Sequence, residues 1–362
     1  MKIGLIIPTY NSEKTLRRCL DSIKKNDFQK DIVFEIIVVD DASTDETIKI
    51  IEEYHEKGLI DKKILLQKNK GVSCARNIGI NSCFDIDYLS FLDSDDYLEI
   101  EFFNNIINNK NLESDAMILG AHIEKEDDLK SRLVQHFKTD MLITKENKKL
   151  LNYFENFYLQ PNNFSIFARS WGRLYDFKYI RLNKKIRFNE KISTFEDVEF
   201  NFQYLLQNPK IQYLNHVMYC HNINNNILKN KSLTFGGNIE ISDMFSFIWT
   251  LKISKKVINN LSNYKFENLD KKIYHCCSVY TIIQFIRISG KIYNFFSFFI
   301  ILKKIKKILR KNMFKKFFRN YDQELANGNF LISYLLKKRF FFFALFYARY
   351  LYFKRYKNWI TF

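Results

Sequence analysis

Apolar runs alternate with amphipathic stretches along residues 1–97. Four apolar runs of strand length predict buried strands, namely KIGLIIP, FEIIVVD, KKILLQ and DYLSFLD. Between them, NSEKTLRRCLDSIKK, STDETIKIIEEYHEK and GVSCARNIGINS carry apolar residues at helical spacing. In the second of these, Ser43 and Glu46 predict a capping box. Strands that alternate with helices at this rhythm predict an α/β fold with a parallel sheet and helices on its faces.

Polar side chains collect where the predicted strands end. They are Thr9, Tyr10 and Asn11, then Asp40 and Asp41, then Asp93, Asp95 and Asp96. In parallel sheets ligands bind outside the carboxyl ends of the strands, so these positions indicate a nucleotide crevice. Neither GxGxxG nor GxxxxGK[ST] occurs, which argues against a dinucleotide fold and against a P-loop. Because the crevice is acidic, phosphate groups would be held through a cation.

Asp93 and Asp95 stand in FLDSDDYL, directly after the fourth predicted strand. An Asp-x-Asp pair at a strand end offers the hard oxygen ligands that Mg²⁺ and Mn²⁺ prefer, and such a cation coordinates a diphosphate. A solvated turn is the alternative, because Asp and Ser are common turn formers. The second acidic strand end, at Asp40 and Asp41, favours the metal site.

Six segments together resemble the family 2 glycosyltransferases of the GT-A fold. In chain order they are IIPTYNSEKTLRRCLDSI, IIVVDDASTDET, NKGVSCARNIGI, YLSFLDSDDYL, SWGRLYD and FEDVEF, which span about residues 3–206. The resemblance implies a Rossmann-like mixed sheet with helices on both faces. It also implies an inverting transfer from a nucleotide-activated sugar, usually a UDP-sugar, with a divalent metal. The motifs are similar to those of bacterial enzymes that build lipooligosaccharide, capsule or other surface glycans.

The resemblance implies roles on the donor side of the crevice. The residues that match by position are Pro8, Thr9, Tyr10, Asp41, Lys70, Gly71 and Arg76. The first three would lie along the uracil and ribose, and Asp41 would accept a hydrogen bond from the uracil ring. A turn or cap role is the alternative for Asp41. Arg76 would contact the nucleotide or brace the aspartates, and a purely structural role is its alternative.

The metal site follows from the same resemblance. Asp95 is implied as the direct metal ligand, Asp93 as a ribose or metal contact, and Asp96 as a support for both. His221 follows the strand-like IQYLNHVMYC and would complete the site around Mn²⁺ or Mg²⁺. A structural histidine is the alternative.

The segment STFEDVEFNFQYLL predicts a helix with Glu196 and Asp197 at its N-terminus. A helix N-terminus keeps a carboxylate ionised and hence able to accept a proton. Ordinary capping is the alternative that spacing alone favours. The resemblance implies Asp197 as the general base for the acceptor hydroxyl and Glu196 as an acceptor-binding or supporting residue.

The segment SWGRLYD is the part that would close over the donor sugar. The resemblance places Trp171, Gly172 and Arg173 there. An aromatic face stacks on the C–H surface of a sugar, which gives Trp171 a physical reason to contact the donor. Plain core packing is the alternative for this side chain.

Positive charge divides the chain into two parts. Residues 236–362 contain 24 Lys and Arg against 6 Asp and Glu, whereas residues 1–235 contain 33 against 34. The change falls at a glycine pair in LTFGGN. We therefore predict a GT-A catalytic domain over residues 1–235, with a nucleotide-binding half (1–97) and an acceptor-side half (98–235). Residues 236–362 would form a basic, mainly helical region.

The basic region mixes cations with aromatic side chains. Residues 287–319 hold eleven Lys and Arg and no acid, and KKRFFFFALFYARYLYFKRYK follows near the end. The uncharged runs are shorter than the roughly 20 residues needed to span a bilayer. Helices lying on an anionic leaflet fit this composition, with a plain helical bundle as the alternative. Nucleic acid is disfavoured as a partner, because no reader motif occurs and the Phe and Ile content is high.

Six cysteines without CxxC spacing fit reduced thiols, and the N-terminal apolar stretch is too short for a signal peptide. We therefore expect a protein that lies on the cytoplasmic face of the membrane. It would transfer a hexose or N-acetylhexosamine from a UDP-sugar to a glycan or lipid-linked acceptor. An inactive, membrane-bound assembly scaffold and a nucleotidyltransferase are the alternative functions.

Overall fold

A computed structural model describes residues 1–25, 32–99, 116–126, 130–134, 138–144, 148–159, 166–192, 195–222, 246–261, 268–322 and 330–358. The chain forms two compact units. The first comprises Met1–Asn147, Ile166–Lys191 and Glu196–Ile227, and the second comprises Lys148–Ser165, Ile192–Phe195 and Leu228–Phe362. The predicted junction near residue 235 and the polar segment 224–234 lie outside the described residues.

The first unit is built on one mixed sheet. Its strands are β1 (Lys2–Thr9), β2 (Val33–Asp40), β3 (Lys62–Leu65), β4 (Tyr88–Phe91), β5 (Tyr97–Leu98), β6 (Ala116–Glu126), β7 (Lys130–Val134), β8 (Met141–Ile143), β9 (Arg173–Asp176) and β10 (Lys210–Asn222). Its helices are α1 (Leu16–Lys25), α2 (Thr47–Glu56), α3 (Val72–Ser82), α5 (Phe177–Leu182) and α6 (Glu196–Leu205). The strand order is β3-β2-β1-β4-β9-β6-β10-β5, with β7 paired to β6 and β8 paired to β10.

The first four strands form the parallel half of this sheet. β1 pairs in parallel with β2 and β4, and β2 pairs in parallel with β3. The strands are apolar because both faces are covered, and every residue of β1 from Ile3 to Thr9 is buried. Gly79 of α3 permits close packing, since a Cβ atom there would lie 2.5 Å from the Ile6 side chain. The parallel half therefore brings the carboxyl ends of β1, β2 and β4 to one edge.

The antiparallel strand β9 joins the two halves of the sheet. It pairs with β4 on one side and with β6 on the other. Beyond it, β6 and β10 are parallel over a long register that pairs His122 with Tyr219 and Glu124 with His221. The arrangement confirms the predicted mixed sheet. His221 lies within β10, whereas the sequence placed it after the strand.

The predicted capping box of the second helix is wrong. α2 begins at Thr47, its N-cap residue Glu46 makes no side-chain cap, and Asp45 Oδ1 accepts the backbone N–H of Thr47 at 3.0 Å. Ser43 instead donates its hydroxyl to Asp40 Oδ1 at 2.5 Å and accepts the backbone N–H of Asn11 at 2.9 Å. The Ser43 hydroxyl therefore binds the buried carboxylate of Asp40 instead of capping α2. Through its two hydrogen bonds, Ser43 links the end of β2 to the residues that follow β1.

The second unit is helical in its described residues. Its helices are α4 (Lys148–Leu159), α7 (Ser246–Leu261), α8 (Leu269–Ser289), α9 (Phe295–Leu309), α10 (Asn312–Arg319), α11 (Phe330–Lys337) and α12 (Phe341–Asn358). In the ranges that are described, no helix is both long enough and apolar enough to cross a membrane.

The helix α4 belongs to this second unit, although the sequence placed residues 98–235 together. The hydroxyl of Tyr158 hydrogen-bonds that of Ser254 at 2.6 Å, and Glu155 forms an ion pair with Lys272. The backbone carbonyl of Leu159 binds His275 Nε2 at 3.1 Å. These contacts, which charge counts along the chain do not reveal, join α4 to α7 and α8.

Candidate active site

The ends of β1 and β2 are joined by a buried hydrogen-bond network. Thr9 Oγ1 donates to Asp40 Oδ1 at 3.2 Å, and the backbone N–H of Asp41 donates to the carbonyl of Thr9 at 2.8 Å. Thr9 and Asp40 are buried, whereas the Tyr10 ring remains about half exposed at 48%. Pro8 is the residue of β1 directly before this network. The segment Pro8–Tyr10 is therefore held rigid, with one aromatic ring available to a ligand.

Asp41 fixes the loop that precedes α3. Its Oδ1 accepts the backbone N–H of Lys70 and its Oδ2 accepts that of Gly71, both at 2.7 Å. Gly71 has a φ of +90°, a conformation that side chains other than glycine rarely adopt. The sequence did not reveal this bond to the loop. Each carboxylate oxygen keeps a further lone pair, so contact between Asp41 and a nucleobase stays a prediction.

Arg76 of α3 is the centre of the acidic cluster. Its Nη2 donates to Asp93 Oδ1 at 2.8 Å, and its Nη1 donates to Asp197 Oδ1 at 2.9 Å. The same Nη1 lies 3.8 Å from Glu196 Oε1, and the guanidinium lies over the Phe188 ring at 5.1 Å. Only 4% of the Arg76 side chain is exposed. One buried cation therefore joins the strand-end aspartate to the helix that carries the predicted base.

The carboxyls around Arg76 are unevenly neutralised. Burial would lower the pKa of Arg76, but Asp197, Asp93 and Glu196 outweigh it, so the pKa is raised and the guanidinium stays charged. Burial and the neighbouring Asp197 raise the pKa of Glu196 to about 8. Burial also raises the pKa of Asp197, although Arg76 opposes that rise. Glu196 therefore keeps its proton at neutral pH more readily than an ordinary glutamate.

Asp95 and Asp96 occupy a second part of the cluster. Burial and the nearby Asp93 raise the pKa of Asp95 to about 6. Burial, together with Asp95 and Asp93, raises the pKa of Asp96 well above its usual range. Asp96 Oδ2 accepts the hydroxyl of Tyr219 at 2.7 Å, and its Oδ1 accepts the backbone N–H of Asn222 at 2.8 Å. Asp96 thus anchors the turn to β10, and its support of the metal ligands stays a prediction.

Trp171 packs in an aromatic stack rather than standing open to solvent. Its ring lies parallel to Tyr219 at 4.2 Å and is tilted against His221 at 5.2 Å. Only 6% of Trp171 is exposed. Gly172, with a φ of +67°, and the buried Arg173 continue the same segment. The core-packing alternative therefore describes most of the Trp171 surface, and contact with a donor sugar stays a prediction for its exposed edge.

Sequence reasoning missed a polar group beside this stack. Arg169 donates to His122 Nε2 at 2.5 Å and to Glu124 Oε1 at 2.9 Å, and its guanidinium lies 4.8 Å from the Trp171 ring centre. His122 contacts the Trp171 ring edge-on. The available signal was the spacing of two residues between His122 and Glu124, which puts both on one face of a strand.

The residue types at this edge fit a hard divalent cation. Asp93 and Asp95 offer carboxylate oxygens, and Nδ1 of His221 is buried without a hydrogen-bond partner in the described structure. Burial and the nearby Arg169 lower the pKa of His221 to about 4, so its imidazole is neutral. Within the described ranges, however, no three His, Cys, Asp or Glu side chains are already grouped as a metal site. The donor set is therefore suitable but is not preassembled.

Comparison with known proteins shows which family and which relatives this chain resembles. Residues 5–181 match the family model for glycosyl transferase family 2. Glycosyltransferase GlyA of Streptococcus pneumoniae is 33% identical over 227 residues, which are 61% of this chain and 30% of GlyA. The poly(ribitol-phosphate) β-N-acetylglucosaminyltransferase TarS of Staphylococcus aureus is 41% identical over 101 residues, 28% of this chain and 17% of TarS. The chain thus spans less than a third of each of these relatives.

Solved structures confirm the predicted GT-A fold. The crystal structure of residues 1–349 of S. aureus TarS in complex with UDP-GlcNAc has a TM-score of 0.62 and 20% sequence identity. The match covers 98% of this chain and 92% of that one. At this level of identity the likeness concerns the fold, including the mainly helical C-terminal region.

Replacing Arg76 should destabilise the fold strongly. Arg76→Met would leave the partly buried Asp93 and Asp197 without their shared cation, and we expect the free energy of unfolding to fall by up to about 3–5 kcal/mol. Urea denaturation measures this change. Lys57→Met, which removes an exposed ion pair with Glu53, is the control and should leave the free energy of unfolding close to that of the wild type. An Arg76→Met cost as small as that of the control would contradict the central role of Arg76.

Glu196 should make stability fall as the pH rises. Its folded-state pKa of about 8 is raised, so its stabilising contribution is complete below the ordinary glutamate pKa and is lost as the pH rises through about 8. Glu196→Gln should therefore flatten the decline in the free energy of unfolding between about pH 5 and pH 8. Glu199→Gln serves as the control, because this carboxylate in the first turn of the same helix accepts hydrogen bonds from Asn189 and Gln203. Identical pH profiles for wild type and Glu196→Gln would refute this expectation.

Proposed function

We propose that this chain, whose residues 5–181 match glycosyl transferase family 2, transfers a hexose or N-acetylhexosamine from a UDP-sugar to a cell-surface glycan, with inversion at the anomeric carbon. The observation that carries the proposal is the buried Arg76, which binds Asp93 and Asp197 through its two terminal nitrogens. A transferase must hold a donor diphosphate and a base near one anomeric carbon. This guanidinium holds both carboxylates within hydrogen-bonding distance of its terminal nitrogens, so Asp93 and Asp197 lie close to each other.

The donor nucleotide is assigned to the edge formed by β1, β2 and the loop before α3. Tyr10 offers a half-exposed ring, and the rigid network around Thr9 and Asp40 holds its backbone. Asp41 would accept the N–H of a uracil, and the exposed Lys70 adjoins it. The complex of TarS with UDP-GlcNAc supports UDP as the nucleotide. The identity of the sugar depends on the Trp171 side of the crevice.

We assign Asp95, Asp93 and His221 as the residues that would hold Mn²⁺ or Mg²⁺. When bound, the ion would neutralise the charge of the diphosphate leaving group. The raised pKa of Asp95 supports this assignment, because desolvation and Asp93 disfavour its ionised form more than Arg18 and Arg76 favour it, and a bound cation would offset that difference.

The general base is assigned to Asp197. Its carboxylate would take the proton from the acceptor hydroxyl while that oxygen bonds to the anomeric carbon and the bond from that carbon to the UDP oxygen breaks. Burial raises the pKa of Asp197, which makes it a stronger base than an exposed aspartate. Glu196, protonated at neutral pH by its pKa of about 8, would donate a hydrogen bond to the acceptor.

The acceptor is proposed to be a lipooligosaccharide, a capsule chain or a lipid-linked glycan at the cytoplasmic face of the membrane. The excess of cations in residues 236–362 supports a peripheral location on an anionic leaflet. Poly(ribitol-phosphate) is the acceptor named for TarS, so an anionic wall polymer is a further member of the same class.

UDP release from a panel of UDP-sugars tests the function. With Mn²⁺ or Mg²⁺, one donor should be hydrolysed slowly even without an acceptor, and EDTA should stop the reaction. Asp95→Ala should behave like the EDTA-treated wild type, because it lacks the proposed metal ligand. If calorimetric titration detects no UDP binding in the presence of metal, the catalytic proposal fails and the inactive assembly scaffold takes its place.

Asp197→Asn should abolish transfer and preserve UDP binding. The amide keeps the shape of the side chain and cannot accept the acceptor proton at neutral pH, so we expect a rate loss of about 10²-fold or more. The initial rate of UDP release and the dissociation constant for UDP measure the two effects separately. Glu199→Gln, on the same turn of α6, should keep the wild-type rate. Normal turnover by Asp197→Asn would exclude Asp197 as the base.

A further inference from the structure

The first half of α9 exposes aromatic side chains. Large apolar residues that stand open to solvent there, and just before the helix, are Tyr293, Phe295, Phe296, Phe299 and Ile300. Phe296 is 75% exposed. The opposite side of α9 is buried through Ile301, Leu302, Ile305 and Leu309. The exposed aromatic residues therefore do not take part in packing this helix against the rest of its unit.

The helix α12 exposes a second aromatic stripe. Its exposed members are Phe342, Phe343, Phe346, Tyr350 and Phe353, which recur at helical spacing. The side that packs inward uses Phe341, Ala344, Leu345 and Ala348. Phe298 of α9 contacts Phe342 of α12 with their ring centres 5.2 Å apart, so the two stripes adjoin. We call these ten exposed residues of α9, its preceding turn and α12 the aromatic face.

The aromatic face is too large to be ordinary surface. An aromatic side chain presents about 200 Å², so the observed exposures leave roughly 1000 Å² of mostly apolar surface in water. Monomeric soluble proteins rarely leave more than a few hundred Å² of contiguous apolar surface exposed. Something apolar is therefore expected to cover this face.

Cations border the aromatic face. Along α9 the exposed stripe continues from Phe299 and Ile300 into Lys303, Lys304 and Lys307. Before α12, the exposed cations are Lys337, Lys338 and Arg339, and Lys354 follows the last exposed ring. Neither residues 271–321 nor residues 325–358 contain an Asp or Glu. The two sequence segments that carry these cations therefore contain no acid to offset them.

We infer that the aromatic face docks on an anionic lipid surface. Aromatic rings favour the boundary between headgroups and acyl chains, and neighbouring lysines bind lipid phosphates. A nucleic acid would call for cations across the contact, whereas here the centre is aromatic and the cations lie beside it. A second copy of the chain would bring one positive border against another. The inference deepens the peripheral location proposed above, and it does not depend on the transfer chemistry.

Vesicle co-sedimentation tests the surface with the full chain. Wild type should bind phosphatidylcholine vesicles that contain phosphatidylglycerol and should bind pure phosphatidylcholine vesicles weakly. The triple variant Phe296→Ser, Phe343→Ser and Phe346→Ser should lose about tenfold or more in affinity, because the replaced rings are exposed and contribute apolar contact. The triple variant Lys303→Gln, Lys304→Gln and Lys307→Gln should show a clearly weaker dependence on phosphatidylglycerol and on salt, because it removes three of the seven cations around the face.

Control variants distinguish docking through the aromatic face from nonspecific adsorption and from loss of folding. Phe84→Ser removes a ring that is 75% exposed in the first unit and should leave vesicle binding unchanged. Circular dichroism checks that each variant is folded, and UDP release without vesicles should be the same in all of them. Wild-type vesicle binding by the Phe triple variant would overturn the proposal. The proposal would also be overturned if the wild type does not bind the vesicles and instead forms a dimer, and if the Phe triple variant does not form that dimer.

Discussion

The buried guanidinium of Arg76 is the interaction on which the candidate active site depends. It binds Asp93, 17 positions along the chain, and Asp197, 121 positions along the chain. Asp93 follows the end of β4 and Asp197 lies at the start of α6. They come together only in the folded protein. Without a cation between them, their mutual repulsion in a buried site would force them apart or protonate them. Arg76 therefore sets the separation between the donor side and the base side of the site.

The cluster holds more carboxyl groups than Arg76 neutralises. The pKa values of these carboxyl groups therefore differ from one another. The pKa of Asp95 is raised to about 6, so at neutral pH it is mostly ionised and suited to a metal ion. The pKa of Glu196 is raised to about 8, so it mostly keeps its proton and can donate a hydrogen bond. Environments that separate the pKa values of nearby carboxyls are a usual way of dividing acid, base and ligand roles.

Local patterns predicted the parallel half of the sheet, the Asp-x-Asp turn and the N-terminal position of Glu196 and Asp197. Those features depend on short-range periodicity and on strand ends. The group formed by Arg169, His122 and Glu124 was not predictable in the same way, because it requires β9 to insert between β4 and β6 and β6 to pair with the distant β10. Asp41 was predictable as a polar strand end, but its bonds to the loop before α3 come from tertiary structure.

Local sequence patterns were also insufficient to predict the aromatic face of the helical unit. Composition predicted basic, aromatic helices there, but it could not decide which rings pack inward. In α12, the small residues Ala344 and Ala348 occupy the buried side, while Phe343 and Phe346 face solvent, the reverse of the usual order of burial. Close packing of the inner side accounts for part of this, since Gly290 leaves room for Tyr352 where a Cβ atom would approach to 2.5 Å. With Ala344 and Ala348 on the packed side, the rings of Phe343 and Phe346 face solvent, and the adjoining lysines make that side suitable for an anionic lipid surface.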